Sequence, residues 1–178
     1  MIDAEKMRCA SELIRDRIIF TNSRIFVVNV KGLTGKNCIR GNGTMKVLTI
    51  KQPWATLIMQ RDKRFEFRSW QTKYRGDLLI HAGKGIDKEA IKRFKEYLPE
   101  ELPFGKILGK VTLVDCIRIS PEFKESLLKE NKDIYTKSSF KENFGWQMDN
   151  VQAFKEPIEA KGHLSLWEYD IENYSHEK

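Results

Sequence analysis

RDKRFEFRSWQTKYRGDLLIHA, residues 61–82, decides how this chain is read. Phe65 and Phe67 alternate with Glu66 and Arg68, the period of two expected of a strand with one greasy and one charged face. Leu78 to Ala82 then form an apolar run that reads as a buried strand, reached through a Lys73-Tyr74-Arg75-Gly76 loop. Basic residues crowd the first half: Arg61, Lys63, Arg64, Arg68, Lys73 and Arg75 stand against Asp62, Glu66 and Asp77. A solvated strand face, a nucleic-acid contact and a small catalytic site are the three readings open to such a pattern.

Working outward, KVLTIK (46–51) is a β-branched run, and Pro53 suits the first turn of a helix that places Trp54, Leu57 and Ile58 on one face. Asp87 can cap a helix over 87–98 with Ala90, Ile91, Phe94 and Leu98 as its apolar stripe. Gly83-Lys84-Gly85 reads as the strand-to-helix turn before it, not as a phosphate-binding loop. GKILGKVTLVDCIRI (105–119) is β-rich, and Pro121 opens a second helix, PEFKESLLKEN. NFGWQMDNVQAF and GHLSLWEYDI are β-like. Short strands outnumber helices, so the expected class is α+β, a small mostly antiparallel β-barrel with peripheral helices.

KGLTGKNCIRGNGT (31–44) has the Gly, Asn and Thr content of a linker. The expected division is therefore an N-terminal extension over 1–44, flexible or outside the native start at Met45, a domain over 45–172 and a tail over 173–178. Within the extension, SELIRDRIIF suggests a helix capped by Ser11, and RIFVVNV a strand. The extension carries +4 of the chain's net +7, so the domain itself is nearly balanced and only residues 61–84 form a basic patch. No run approaches the ~20 apolar residues of a spanning helix, and the N-terminus lacks a signal-like apolar core. Cys9, Cys38 and Cys116 are scattered and odd in number, which argues against a disulfide framework or a metal site and for a reducing, cytoplasmic setting. No cofactor is expected, and a monomer is the default.

LTIKQPWATLI, then Lys63, Glu66 and Arg68, then W-x-T-K-Y-R-G at 70–76 and LLIHA at 78–82, resemble in that order the ASCH domains, relatives of the activating signal cointegrator homology region with the PUA-like fold. The family signature is G-x-K-x-x-E-x-R, with Arg61 here in the glycine position. The resemblance spans roughly 45–170. It implies a pseudobarrel with a cleft beside the signature strand, and RNA or a modified nucleotide as ligand. Some family members remove the acetyl group from N4-acetylcytidine. Those enzymes carry a threonine where this chain has Glu66.

Lys63, Glu66 and Arg68 are thus the expected ligand set. A carboxylate accepts from an exocyclic amine while the cations meet phosphate or carbonyl oxygens. If the chain is an enzyme, Glu66 would act as general base on water and Lys63 would stabilise the oxyanion, in an amidohydrolase or a ribonuclease. Trp70 could stack on a base, Lys73, Tyr74 and Arg75 suit a nucleic-acid loop, and His81 could read a base or be satisfied by backbone. Trp54 is assigned to the core, Cys116 to a buried inert position, and His163 and His176 to no metal site. The third reading is a protein interaction domain with a vestigial cleft. The plain alternative for Glu66 and Arg68 is an exposed ion pair worth ~0–1 kcal/mol.

Overall fold

The computed structural model describes residues 43–135 and 143–171, together with the backbone of 18–21 and 24–27. The chain divides into two compact units, 1–36 and 37–178. In the first, strands β1 (Ile18–Thr21) and β2 (Arg24–Val27) pair antiparallel, Ile18 opposite Val27. Ile18 to Phe20 are therefore extended, against the helix expected to run through them, because β-branched isoleucines favour a pleated pair. The rest of that expected helix, residues 31–42 of the expected linker, the tail and His176 lie outside the described residues, and Thr44, the linker's last residue, already belongs to the first strand of the second unit.

The second unit is a six-stranded sheet with short helices at its margins. Its elements are β3 (Thr44–Gln52), α1 (Trp54–Met59), β4 (Phe65–Arg68), β5 (Gly76–Ile86), α2 (Lys88–Arg93), β6 (Lys106–Arg118), α3 (Pro121–Glu130), β7 (Phe144–Glu159) and β8 (Leu166–Asp170). The strand order is β4-β7-β6-β5-β3-β8, antiparallel throughout except for the parallel β3–β5 pair. The fold is the expected α+β arrangement. The sheet is not closed into a barrel by a ladder among the described residues, since β4 and β8 remain its two edges. No helix among the described residues is long and apolar enough to cross a membrane.

Two expected boundaries move. The helix after Asp87 stops at Arg93 and tightens to a 3₁₀ turn over Lys95–Tyr97, which still buries Ala90 and Phe94. Asp87 does cap it, accepting from Ala90 N at 3.0 Å. The Gly83-Lys84-Gly85 segment is strand, not turn: β5 continues to Ile86 beside β3, where Gly83 lets Thr49 approach. A Cβ on Gly83 would stand 2.8 Å from the Thr49 methyl.

The Gln52-Pro53-Trp54 stretch has a packing explanation. The wholly buried Gln52 amide donates to the Pro103 carbonyl at 2.7 Å and accepts from Thr56 N and Oγ1 at 3.2 and 3.0 Å. Both ends of a buried amide are thus satisfied, which fixes the start of α1 to the loop before β6. Trp54 is half-buried between two apolar clusters and donates Nε1 to Asp87 at 3.2 Å. Cys116 is buried, as expected.

Candidate functional site

β4 carries the signature residues and is held from both sides. On one edge it pairs with β7, Glu66 opposite Trp146. Arg64 O accepts from Met148 N at 2.9 Å and Arg68 O from Asn143 N at 3.2 Å, so the carbonyls of alternate residues 64, 66 and 68 face β7. Those of Phe65 and Phe67 face the opposite, outer edge. From the C-terminal side of α3, the buried Tyr135 hydroxyl accepts from Arg64 N and Phe65 N at 2.9 and 3.1 Å.

Lys63 enters this arrangement through a tight turn at the end of α1. Asp62 N and Lys63 N both donate to Leu57 O, at 3.0 and 3.1 Å. Arg61 takes the left-handed backbone, φ 68°, that the turn demands. A glycine there would be unstrained, whereas a side chain costs about 1 kcal/mol, which gives the family's glycine a physical reason. Arg61 Nη2 donates to Val151 O at 3.0 Å.

The three charged side chains converge. Lys63 Nζ donates to Glu66 Oε2 at 2.8 Å and to the Phe65 carbonyl on the outer edge of β4. Arg68 Nε lies 3.4 Å from Glu66 Oε1. Lys63 and Glu66 are buried, and Arg68 is about a quarter exposed at its side chain. Nζ also lies 5.0 Å from the Phe67 ring centre and 5.5 Å from that of Trp54. Burial pulls the Lys63 ammonium below the usual lysine range; Glu66 opposes this and Arg68 adds to it.

Arg68 reaches across to another strand, its Nη2 donating to the Thr49 carbonyl of β3 at 2.7 Å. In the β3–β8 ladder Ile171 N donates to Gly43 O at 3.2 Å, and pairing ends at Leu48 opposite Leu166. By the alternation of that ladder, the Thr49 carbonyl is the next one on the β8 side. Ser165, at φ 58°, has turned out of register there. The lysine and the arginine thus satisfy carbonyls on two strand edges that no ladder among the described residues completes, with Glu66 between them. The expected alternation holds for Phe65, which is buried, while Phe67 is half-buried and stacks edge-on with Tyr135.

The other predicted residues lie around this triad or apart from it. Trp70 is half-buried and meets Trp146 edge-on at 4.6 Å, so its ring flanks the core. Tyr74 donates its hydroxyl to the Asp77 carbonyl, and Arg75 ties Thr72, Tyr74 and Asp115 together. These two residues hold the loop's shape, while Lys73 is exposed. A recess of about 320 Å³ lies on the β7 side of the turn, lined by Arg61, Lys63, Arg64 and Met148–Val151.

His81 is buried mid-strand in β5, opposite Thr49, and its Nε2 donates to the Ala160 carbonyl at 3.0 Å. Burial lowers its pKa below the ordinary histidine value; the Ala160 bond opposes this, and His163 adds to the lowering. As pH falls below ~6.5 the unfolded imidazole takes up a proton that the folded one refuses, so stability is lost on acidification. Unfolding free energy measured by urea melts from pH 7.5 to 5.5 should fall for the parent and be flatter for His81→Phe. Parallel curves would contradict this.

One neighbour was not singled out in the sequence: Trp167 of β8, which donates Nε1 to Thr49 Oγ1 at 3.0 Å. Its position in LSLWEYD reads only as strand. The signal lies in pairing, because β8 joins β3, the strand that Arg68 reaches.

Comparison with known proteins follows this geometry. Residues 48–158 match the model of the ASCH domain, and residues 1–40 match that of the bacterial PH domain. Activating signal cointegrator 1 from Homo sapiens is 33% identical over 134 residues, and that from Mus musculus 31%; each alignment covers 69% of this chain and 22% of the relative. The chain therefore spans about a fifth of those proteins' length. A crystal structure of ASCH from Zymomonas mobilis superposes with a TM-score of 0.49 at 13% identity, covering 74% of this chain and 91% of that one. With the family model matching more than half of the chain and the signature lysine, glutamate and arginine in place, the chain belongs to the ASCH domain family.

Proposed function

We propose that this chain is an RNA- or modified-nucleotide-binding module whose ligand is held at Lys63, Glu66 and Arg68. Membership of the ASCH family supports an RNA-binding type of domain. The observation that carries the finer reading is the convergence of two cations on one carboxylate at the meeting of two unladdered strand edges. Hydrogen bonding to unpaired backbone explains part of this set. It does not require a carboxylate between the cations, and a carboxylate is the group that accepts from a base amine. Fluorescence anisotropy with single-stranded RNA tests the reading. Affinity should fall with salt, about 0.7 log units per log salt for each phosphate neutralised. Arg68→Ala and Lys63→Met should weaken it at least tenfold at low salt. Parent-like binding by both variants would remove the proposal.

A second reading rests on the lowered pKa of Lys63 beside Glu66, a pairing that suits hydrolysis of an acylated base. Incubation with N4-acetylcytidine should then release cytidine in the parent and not in Glu66→Gln. No release in the parent rejects it.

A further inference from the structure

His81 Nδ1 is a buried nitrogen with no hydrogen-bond partner among the described residues, on a residue only 1% exposed. Because a carbonyl can only accept, Nε2 carries the hydrogen given to Ala160, and Nδ1 of the neutral ring is a bare acceptor. Leaving such an atom unmatched is unfavourable, since its desolvation is not offset by a bond. What covers it is the 160–165 segment. A Cβ on Gly162 would fall 2.8 Å from Nδ1, 2.5 Å from Cε1 and 3.2 Å from Thr49 Oγ1. Only a residue without a side chain can lie on both at once.

That segment is lightly held. Lys161 through Ser165 are all exposed, Leu164 at 93%. It is tied by Ala160 at one end, which bonds Gly105 and His81, and it turns into β8 through the left-handed Ser165. Between these points His163 sets its ring 5.0 Å from Trp167, tilted 55°. Trp167 is half-buried, edge-on to His81 at 5.8 Å. The exposed His163 ring thus leans against Trp167, a ring of the kind on which a nucleobase stacks.

We propose that residues 161–165 are a displaceable cover, anchored at Ala160, over a base-reading subsite formed by His81, Thr49 and Trp167, next to the Arg68 end of the charged triad. This rests on the nucleotide-binding reading above. When the cover moves, a base takes the place of His163 on Trp167. His81 Nδ1 then accepts from a ring or exocyclic N–H of that base, and the Thr49 hydroxyl is available as donor or acceptor. Arg68, bonded to the Thr49 carbonyl, links this subsite to the triad. The subsite selects the base, and the cations supply affinity that every sequence shares.

The test compares oligo(A), oligo(C) and oligo(U) of about eight nucleotides, bound to the full chain at fixed salt. The parent should prefer one base at least tenfold. His81→Phe and Thr49→Val should bring the three affinities to within about twofold of one another, since each removes a hydrogen-bonding group, whereas Lys63→Met should lower all three together. A parent without preference, or an unchanged preference in His81→Phe and Thr49→Val, overturns the subsite while the triad reading stands. Loss of no affinity in Lys63→Met overturns the triad reading. A measurement on the unaltered chain guards against variants that fail to fold. The ¹⁵N signal of His81 Nδ1 should shift on addition of the preferred oligonucleotide, as a bare acceptor gains a bond. A signal that stays in place under saturating RNA overturns the subsite.

Discussion

Gly109→Ala is expected to lower the unfolding free energy by about 3 kcal/mol, the upper part of the overpacking range. Gly109 lies where β6 crosses β7 out of regular register, opposite Ala153. A Cβ built on it stands 2.4 Å from the Gln152 carbonyl oxygen, 2.9 Å from Ala153 Cα and 2.8 Å from Met59 Sδ. The methionine could swing away, being the end of a flexible side chain. The two backbone atoms cannot, because they belong to the longest ladder in the sheet, between strands of 13 and 16 residues. That ladder carries β4 on its far side, so the signature strand shifts with any opening of it. Urea melts measure the loss, and Met59→Ala on the same background should recover little of it. A Gly109→Ala protein within about 0.5 kcal/mol of the parent would mean that β6 and β7 separate freely there, contrary to the close approach described.

The alternation of residues 65–68 made β4 and its buried phenylalanine legible, because a period of two is a property of the local chain. The capping of α2 by Asp87 and the proline start of α3 were legible for the same reason. Lys63 was placed correctly beside Glu66, but its near-complete burial was not visible. That depends on Trp54, Phe67 and the outer edge of β4 closing around one ammonium, contacts set by tertiary folding. The Arg68 bond to Thr49 depends likewise on where β8 stops pairing with β3. The end of β5 was misread because Gly83 and Gly85 look like a turn. Here they are instead places where Thr49 and Lys51 come close to the backbone. Trp167 passed unnoticed because a tryptophan in a strand pattern is most simply core, and only the pairing of β8 with β3 sets it beside Thr49.

The largest effect is expected at Lys63. In Lys63→Ala the Glu66 carboxylate keeps only the off-geometry contact with Arg68, and the Phe65 carbonyl loses its donor. Breaking a buried pair from one side typically costs about 3–5 kcal/mol, because an uncompensated charge remains. Removing both charges is a different matter: Lys63→Met with Glu66→Gln leaves a volume of similar shape and no half-broken lysine–carboxylate pair, while Arg68, a quarter exposed, keeps the Thr49 carbonyl. The double variant's stability should return to within about 1.5 kcal/mol of the parent. Binding should not return with it, since a methionine cannot meet a phosphate or a carbonyl oxygen. Stability and RNA affinity measured on the parent, the two single variants and the pair therefore separate two duties of one lysine. If the double variant recovers both, the triad serves only to close the sheet edges and its ligand lies elsewhere. If Lys63→Ala melts with the parent, the ammonium is not held where Glu66 and the Phe65 carbonyl can grip it. Recovery of the fold without recovery of binding is the outcome that a ligand-holding triad requires.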